Sequence, residues 1–172
     1  NTKYKTPLEG IKMSADMFLK IEGVQGEAID HKHGGEIDVL AWSWGMSQSG
    51  SMHIGGGGGA GKVAVQDISI TKYVDKSSPN LINTCCTGKH YPEAKITVRK
   101  AGDKPVEYMI ITMTDVIVTS ISTGGSGGED RLTENVSLNF AKVKVEYTPQ
   151  AKDGSAGATV ETAFNIEENT AI

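Results

Sequence analysis

Gly56, Gly61 and Lys62 sit at the spacing of a phosphate-cradling loop. Such a loop works because its amides and lysine embrace phosphates while a following Ser or Thr hydroxyl holds magnesium. Val63 stands where that hydroxyl is needed, and the residues beyond it read as a strand rather than a helix. Nucleotide binding is therefore not expected. His31 and His33 are two residues apart, so both imidazoles could face one side of an extended segment and share a metal. No cysteine or second histidine pair stands at ligand spacing, and the sequence predicts surface histidines in a polar turn. No Ser/His/Asp order and no Gly-x-Ser-x-Gly elbow stands out. Glu129-Asp130 and Glu167-Glu168 read as solvated charges of a turn and a tail. Asn135-Val136-Ser137 fits a glycosylation acceptor but falls within a strand pattern. Cys85 and Cys86 are adjacent and are the only cysteines. A disulfide between neighbours is strained, so they read as two reduced core thiols in a reducing compartment. The chemistry-bearing residues thus predict no enzyme, no cofactor and no metal.

The 172 residues (18.2 kDa) are enough for one domain that buries about two-thirds of its unfolded surface, without disulfide or metal staples. Net charge is -4 and the pI about 5.6, which leaves no basic excess to neutralise phosphates and predicts no nucleic-acid partner. No apolar run approaches the roughly 20 residues a membrane-spanning helix needs, so no membrane insertion is expected. The first ten residues lack the apolar stretch of a signal peptide. The expectation is a cytoplasmic protein, or one that leaves by a route needing no cleaved leader. Residues 1–12 read as a leader or flexible arm, and 13–172 as the domain.

The remaining pattern is mainly β. Predicted strands are Met17–Glu22, Glu36–Trp44, Val63–Tyr73, Lys95–Lys100, Val106–Ile121, Asn135–Tyr147 and Val160–Ile166, rich in Val, Ile and Thr and separated by Gly, Asp, Ser and Pro. One helix is signalled between Ser78 as cap, Pro79 at its first position and Gly88 at its left-handed exit, with Leu81, Ile82, Cys85 and Cys86 as its apolar stripe. Several strands are apolar on both faces. In 109–117, Met109, Ile111, Met113 and Ile117 oppose a face that still carries Ile110 and Val116. In 37–44, Ile37, Val39 and Ala41 oppose Leu40, Trp42 and Trp44. A free sandwich or barrel shows one wet face, so the second apolar face predicts a covering helix or another subunit.

Trp42 and Trp44 flank Ser43. Alternation sends both indoles to the core and turns Ser43, with Ala41, the other way. The stretch from Gly45 to Lys62 exceeds the usual limit of roughly 12–15 residues for a structureless loop, which marks it as functional or ordered by a partner. The second glycine cluster, Gly124–Gly128, reads as a hairpin tip.

Together these residues resemble the haemolysin-coregulated protein (Hcp) family, the tube subunit of bacterial type VI secretion. The segments that carry the likeness are Asp16–Ile21, Glu36–Gly50, Gly55–Lys62, Val65–Ile68, Thr71–Tyr73, Lys76–Leu81, Gly88–Pro92 and Ser122–Val136, in order over nearly all of 13–172. The resemblance implies a two-sheet β-barrel with one short flanking helix and a protruding glycine-rich loop. It implies homo-hexameric rings that stack into an exported tube, with a spike protein at the tip and a contractile sheath around it. Small effectors would ride in the lumen, and no enzymatic activity is implied. Ser43 matches a lumen-facing family position, with Ala41 beside it. Ser47, Gln48, Ser51, Met52, His53, Ile54, Gly56, Gly57, Gly58 and Gly59 fall in the loop that would touch a neighbouring ring or subunit. The alternative is a monomeric barrel that binds a small ligand under the glycine loop as a lid.

Overall fold

A computed structural model describes residues 15–50, 61–100 and 105–172. The arm expected over 1–12 and the loop positions Ser51, Met52, His53, Ile54, Gly56, Gly57, Gly58 and Gly59 lie outside the described residues.

The elements run β1 (Ala15–Ile21), β2 (Ile37–Ser43), β3 (Met46–Ser47), β4 (Ala64–Val65), β5 (Ile68–Tyr73), α1 (Ser78–Thr87), β6 (His90–Lys100), β7 (Glu107–Thr123), β8 (Thr133–Tyr147), β9 (Val160–Asn165) and β10 (Thr170–Ala171). One antiparallel sheet runs β10-β9-β8-β5-β2-β1-β6-β7, and an added β7–β8 pairing closes β8, β5, β2, β1, β6 and β7 into a six-stranded barrel. Closure leaves those six strands without a free edge. The long strand β8 uses one edge twice. Residues Thr133 to Leu138 pair with β5, and Lys142 to Tyr147 pair with β9. The sheet therefore forks near Asn139–Ala141, where β5 leaves β8 and β9 takes its place.

The core is the inward face of these strands: Leu19 and Ile21, Ile37 and Val39, Ile68 and Ile70, Ile96, Ile111 and Met113, Val136 and Leu138, with Leu81 from α1. Two irregularities reset the pleat. A bulge between Val39 and Ala41 moves the inward positions of β2 from odd to even numbers. Ala41 is thus not on the side of Ile37 and Val39. It faces out with Ser43, while Trp42 and Trp44 pack half-buried against the core. In β7, Asp115 adopts φ 55°, a left-handed conformation that Asp tolerates better than most residues. Inward positions pass there from Ile111 and Met113 to Val116 and Val118, so Val116 rather than Ile117 is core.

The helix forms as expected, but its N-cap is Ser77, which makes no side-chain capping bond. Gly88 ends it at φ 68°, with its N–H donating to the Thr84 carbonyl. Its inward stripe is Leu81 and Thr84. Ile82, one position on from Leu81, and Cys86, two on from Thr84, turn to solvent, while Cys85 stays half-buried beside the stripe. The two cysteines are both free, yet only Cys85 is half-buried, which corrects the reading of two core thiols. Helix α1 packs on β7 and adds Leu81 to the core.

Candidate functional site

The barrel turns a polar, small-residue face outward across four strands. Register places Ser43 of β2 opposite Ser69 of β5, Ser69 opposite Ser137 of β8, and Ser137 opposite Ser120 of β7. The adjacent row is Ala41, Thr71, Asn135 and Ser122. All are exposed except the half-buried Thr71 and Ser137. Thr71 Oγ1 donates to Asn135 Oδ1 at 2.8 Å. Beyond the serine row, Asp67 accepts from Thr119 Oγ1 at 2.6 Å and from Asn139 Nδ2 at 2.8 Å. The face offers hydroxyls and amides with little bulk, so it can hydrogen-bond a passing surface without gripping it. Ser43 and Ala41 are therefore brought together with six partners that single-strand reading missed. The signal was present as Ser, Thr and Asn alternating with Ile, Val and Leu in β5, β8 and the end of β7.

Ser47 and Gln48 lie outside those rows. Ser47 is paired in the short β3–β4 hairpin, and Gln48 lines an open groove of about 590 Å³. The groove occupies the fork between that hairpin and the β8–β9 pair, lined by Trp44, Met46, Val65, Val143, Val145 and Phe164 among others. Trp44 is fixed there by its indole N–H, which donates to the Gln66 carbonyl at 2.9 Å, and by a tilted contact with Phe140. Met46 is about half exposed in the groove.

On the β1–β2 side, the turn between these strands is held by charge. Asp30 Oδ1 accepts from the backbone N–H groups of Lys32 and His33, and both carboxylate oxygens accept from the Arg99 guanidinium. The hydrogen bonds from Arg99, more than any other influence, hold the Asp30 carboxyl well below the usual carboxylate range. The same bonds push the Arg99 guanidinium up. Burial pushes the neighbouring Asp38 carboxyl up. His33 is buried rather than a surface residue. Its Nδ1 lies 2.9 Å from Glu36, its Nε2 lies 3.2 Å from Glu107, and its ring stacks on Phe18. His31 does not join it, since it stays exposed in the turn. Among the described residues, no group of three or more His, Cys, Asp and Glu is placed to hold a metal. Among them, too, no helix is long and apolar enough to cross a membrane.

A closed antiparallel barrel with one flanking helix, a hydroxyl-rich outer face and a forked apolar edge defines a β-barrel module. Residues 18–147 match the family described as "Type VI secretion system effector, Hcp". The chain is 65% identical over 159 residues to Protein hcp1 of Pseudomonas aeruginosa, covering 91% of this chain and 98% of that one. Among solved structures, Hcp1 from Salmonella typhimurium is 41% identical with a TM-score of 0.77, covering 93% of this chain and all of that one. A structure described as a type six secretion system protein is 30% identical with a TM-score of 0.86, covering 92% of this chain and all of that one. The chain belongs to the Hcp family and is a tube subunit of type VI secretion. The reading as a monomeric ligand-binding barrel is not favoured.

Proposed function

We propose that copies of this chain close into hexameric rings whose lumen is lined by the Ser43–Ser69–Ser137–Ser120 row and the Ala41–Thr71–Asn135–Ser122 row. The rings stack into a tube that a contractile sheath expels behind a spike protein, and small effector proteins travel in contact with the serine rows. The chain acts by binding and assembly, with no catalysis, and leaves the cell with the tube. The observation that carries this reading is the continuity of small polar side chains across four strands. An exposed sheet face of a lone barrel needs no such uniformity. Ser47, Gln48, Ser51, Met52, His53, Ile54 and Gly56 to Gly59 are assigned to contacts with the neighbouring ring or subunit on family likeness.

Light scattering on the purified protein, with negative-stain electron microscopy, tests the assembly. Six-fold rings with an open centre are the expected result. A strictly monomeric particle at high micromolar concentration overturns it.

A further inference from the structure

The side chain of His33, in the turn between β1 and β2, is only 10% exposed and has a carboxylate on each ring nitrogen. Nδ1 lies 2.9 Å from Glu36 Oε2 in the same turn, and Nε2 lies 3.2 Å from Glu107 Oε1 at the start of β7. Two such contacts need two hydrogens. A neutral imidazole brings one, and an ionised carboxylate brings none. The triad is therefore complete only with a second proton, held on the imidazole or on a carboxyl oxygen. Without it a nitrogen lone pair faces a carboxylate oxygen, and one half-buried contact turns from attraction to repulsion.

The surrounding charges favour the imidazolium. The turn itself carries Asp30, Glu36 and the exposed His31 and Lys32, while β1 contributes Asp16, β2 Asp38, β6 Arg99 and β7 Glu107. Arg99 is already paired with Asp16 and Asp30. Among the described residues, His33 is the only ion-pair partner of Glu36 and of Glu107.

The same contacts fasten the turn to the barrel. The imidazole stacks on the buried ring of Phe18 in β1, with centroids 4.4 Å apart and planes 11° from parallel. Glu107 ties it to β7, and Asp30 with Arg99 makes a separate tie to β6. Within the turn, Gly26 N–H donates to the Gly35 carbonyl, Ala28 N–H to Glu36 and Gly35 N–H to Ala28.

We infer that His33, Glu36 and Glu107 form a proton-operated clasp, which holds the turn on β1 and β7 while the second proton is present and loosens it as the pH rises. Histidine is the side chain that ordinarily changes charge between about pH 5 and 8. A contact that needs the proton contributes stability on the acid side of that change and none on the alkaline side. The clasp does not depend on the ring assembly proposed above.

Hydrogen exchange of the full chain, read by mass spectrometry, tests it. The quantity measured is the protection of peptides covering residues 26–36, each rate divided by that of the unstructured chain at the same pH, with β8 as internal reference. From about pH 5.5 to about pH 8.5 the turn is expected to lose roughly tenfold in protection while β8 does not. Glu107→Gln is expected to keep the turn's protection across that range, because the amide donates its own N–H to a deprotonated Nε2. Glu36→Gln makes the same comparison at Nδ1 and is expected to behave alike. Constant protection in the parent overturns the clasp. An alkaline loss in both glutamine variants as large as in the parent also overturns it, since the effect would then belong to another group.

Discussion

Lys72 Nζ lies 2.6 Å from Glu134 Oε1, and neither side chain reaches solvent. The two residues face each other across the β5–β8 ladder, one step along from Thr71 and Asn135. Each strand therefore presents a polar residue to the serine face and the next one, charged, to the interior. Lys72 also donates to the Tyr73 carbonyl, Asp75 Oδ1 and Ser78 Oγ, while Ser78 Oγ donates to Glu134 Oε1. Ser78 is the first residue of α1, so the buried pair ties the helix start to both strands. Glu134 Oε2 is buried without a partner among the described residues.

Removing Lys72 leaves the Glu134 carboxylate in the interior with the Ser78 hydroxyl, whereas removing Glu134 leaves Lys72 its ion pair with Asp75. Lys72→Met is expected to cost about 3–5 kcal/mol and Glu134→Leu less, while the double variant recovers part of the Lys72→Met loss, since an apolar pair replaces the Lys72–Glu134 ion pair at little cost. Urea unfolding of the single and double variants measures this. Equal loss in the double variant would show that packing, not the uncompensated charge, sets the effect.

Acid sensitivity follows from Asp30. Its pKa is depressed in the fold, chiefly by the Arg99 hydrogen bonds, from an ordinary 3.8. A depressed carboxyl contributes stability that is full above the unfolded value and is lost as pH falls toward the folded one. The Asp30→Asn protein is expected to unfold at lower temperature than the parent at pH 7, with the gap closing below about pH 3.8. Asp38, raised by burial, works in the opposite sense: its charged form opposes folding, and Asp38→Asn is expected to be neutral or stabilising at pH 7. Thermal scans of the three proteins at pH 7, 5 and 3 decide both signs.

How much of this was legible in sequence depends on the range of the interaction. Strands β1, β2, β5, β7, β8 and β9 follow local alternation and β-branched composition, and all lie within the predicted segments or within a few residues of them. Strand β6 starts at His90, five residues earlier than expected, because Tyr91 buries its ring while Pro92 discourages a strand reading. The Leu40 bulge and the left-handed Asp115 break the alternation, so Ile37 and Val39 were wrongly grouped on the face of Ala41, and Val116 was placed on the wrong face. His33 looked solvated because its carboxylate Glu107 is 74 residues away, and Lys72 looked ordinary because Glu134 is 62 residues away. The outward face of Ser43 was legible from its alternation with Trp42 and Trp44. Its row was not assembled, because strand register is a non-local property.

Gly26 has a steric role that a methyl group reveals. A Cβ there would overlap the Glu36 carbonyl and the Ile37 Cα, which are backbone atoms that cannot swing aside. Gly26→Ala is expected to destabilise by about 1–3 kcal/mol and to loosen the turn that carries Ile29. Gly50 meets nothing within 4 Å among the described residues and has an ordinary φ, so Gly50→Ala is expected to stay within about 0.5 kcal/mol of the parent. Chemical unfolding compares the pair. A neutral Gly26→Ala would mean that the turn yields more readily than its hydrogen bonds imply.

The serine rows make a prediction about cargo that a single position cannot settle. If the contact surface is the row, bulk added anywhere along it obstructs an effector, while the ring, which does not use these side chains, keeps its mass. Ser43→Gln and Ser69→Gln are both expected to lower co-purified effector by roughly tenfold, the effect of losing about 1.4 kcal/mol of contact, with hexamers intact by light scattering. Glu93→Gln on β6, an exposed residue outside the rows, is expected to change nothing. A loss at Ser43 without one at Ser69, which register sets directly opposite, would confine the contact to β2. No loss at either would remove the rows from effector binding and leave them as the smooth wall of a channel.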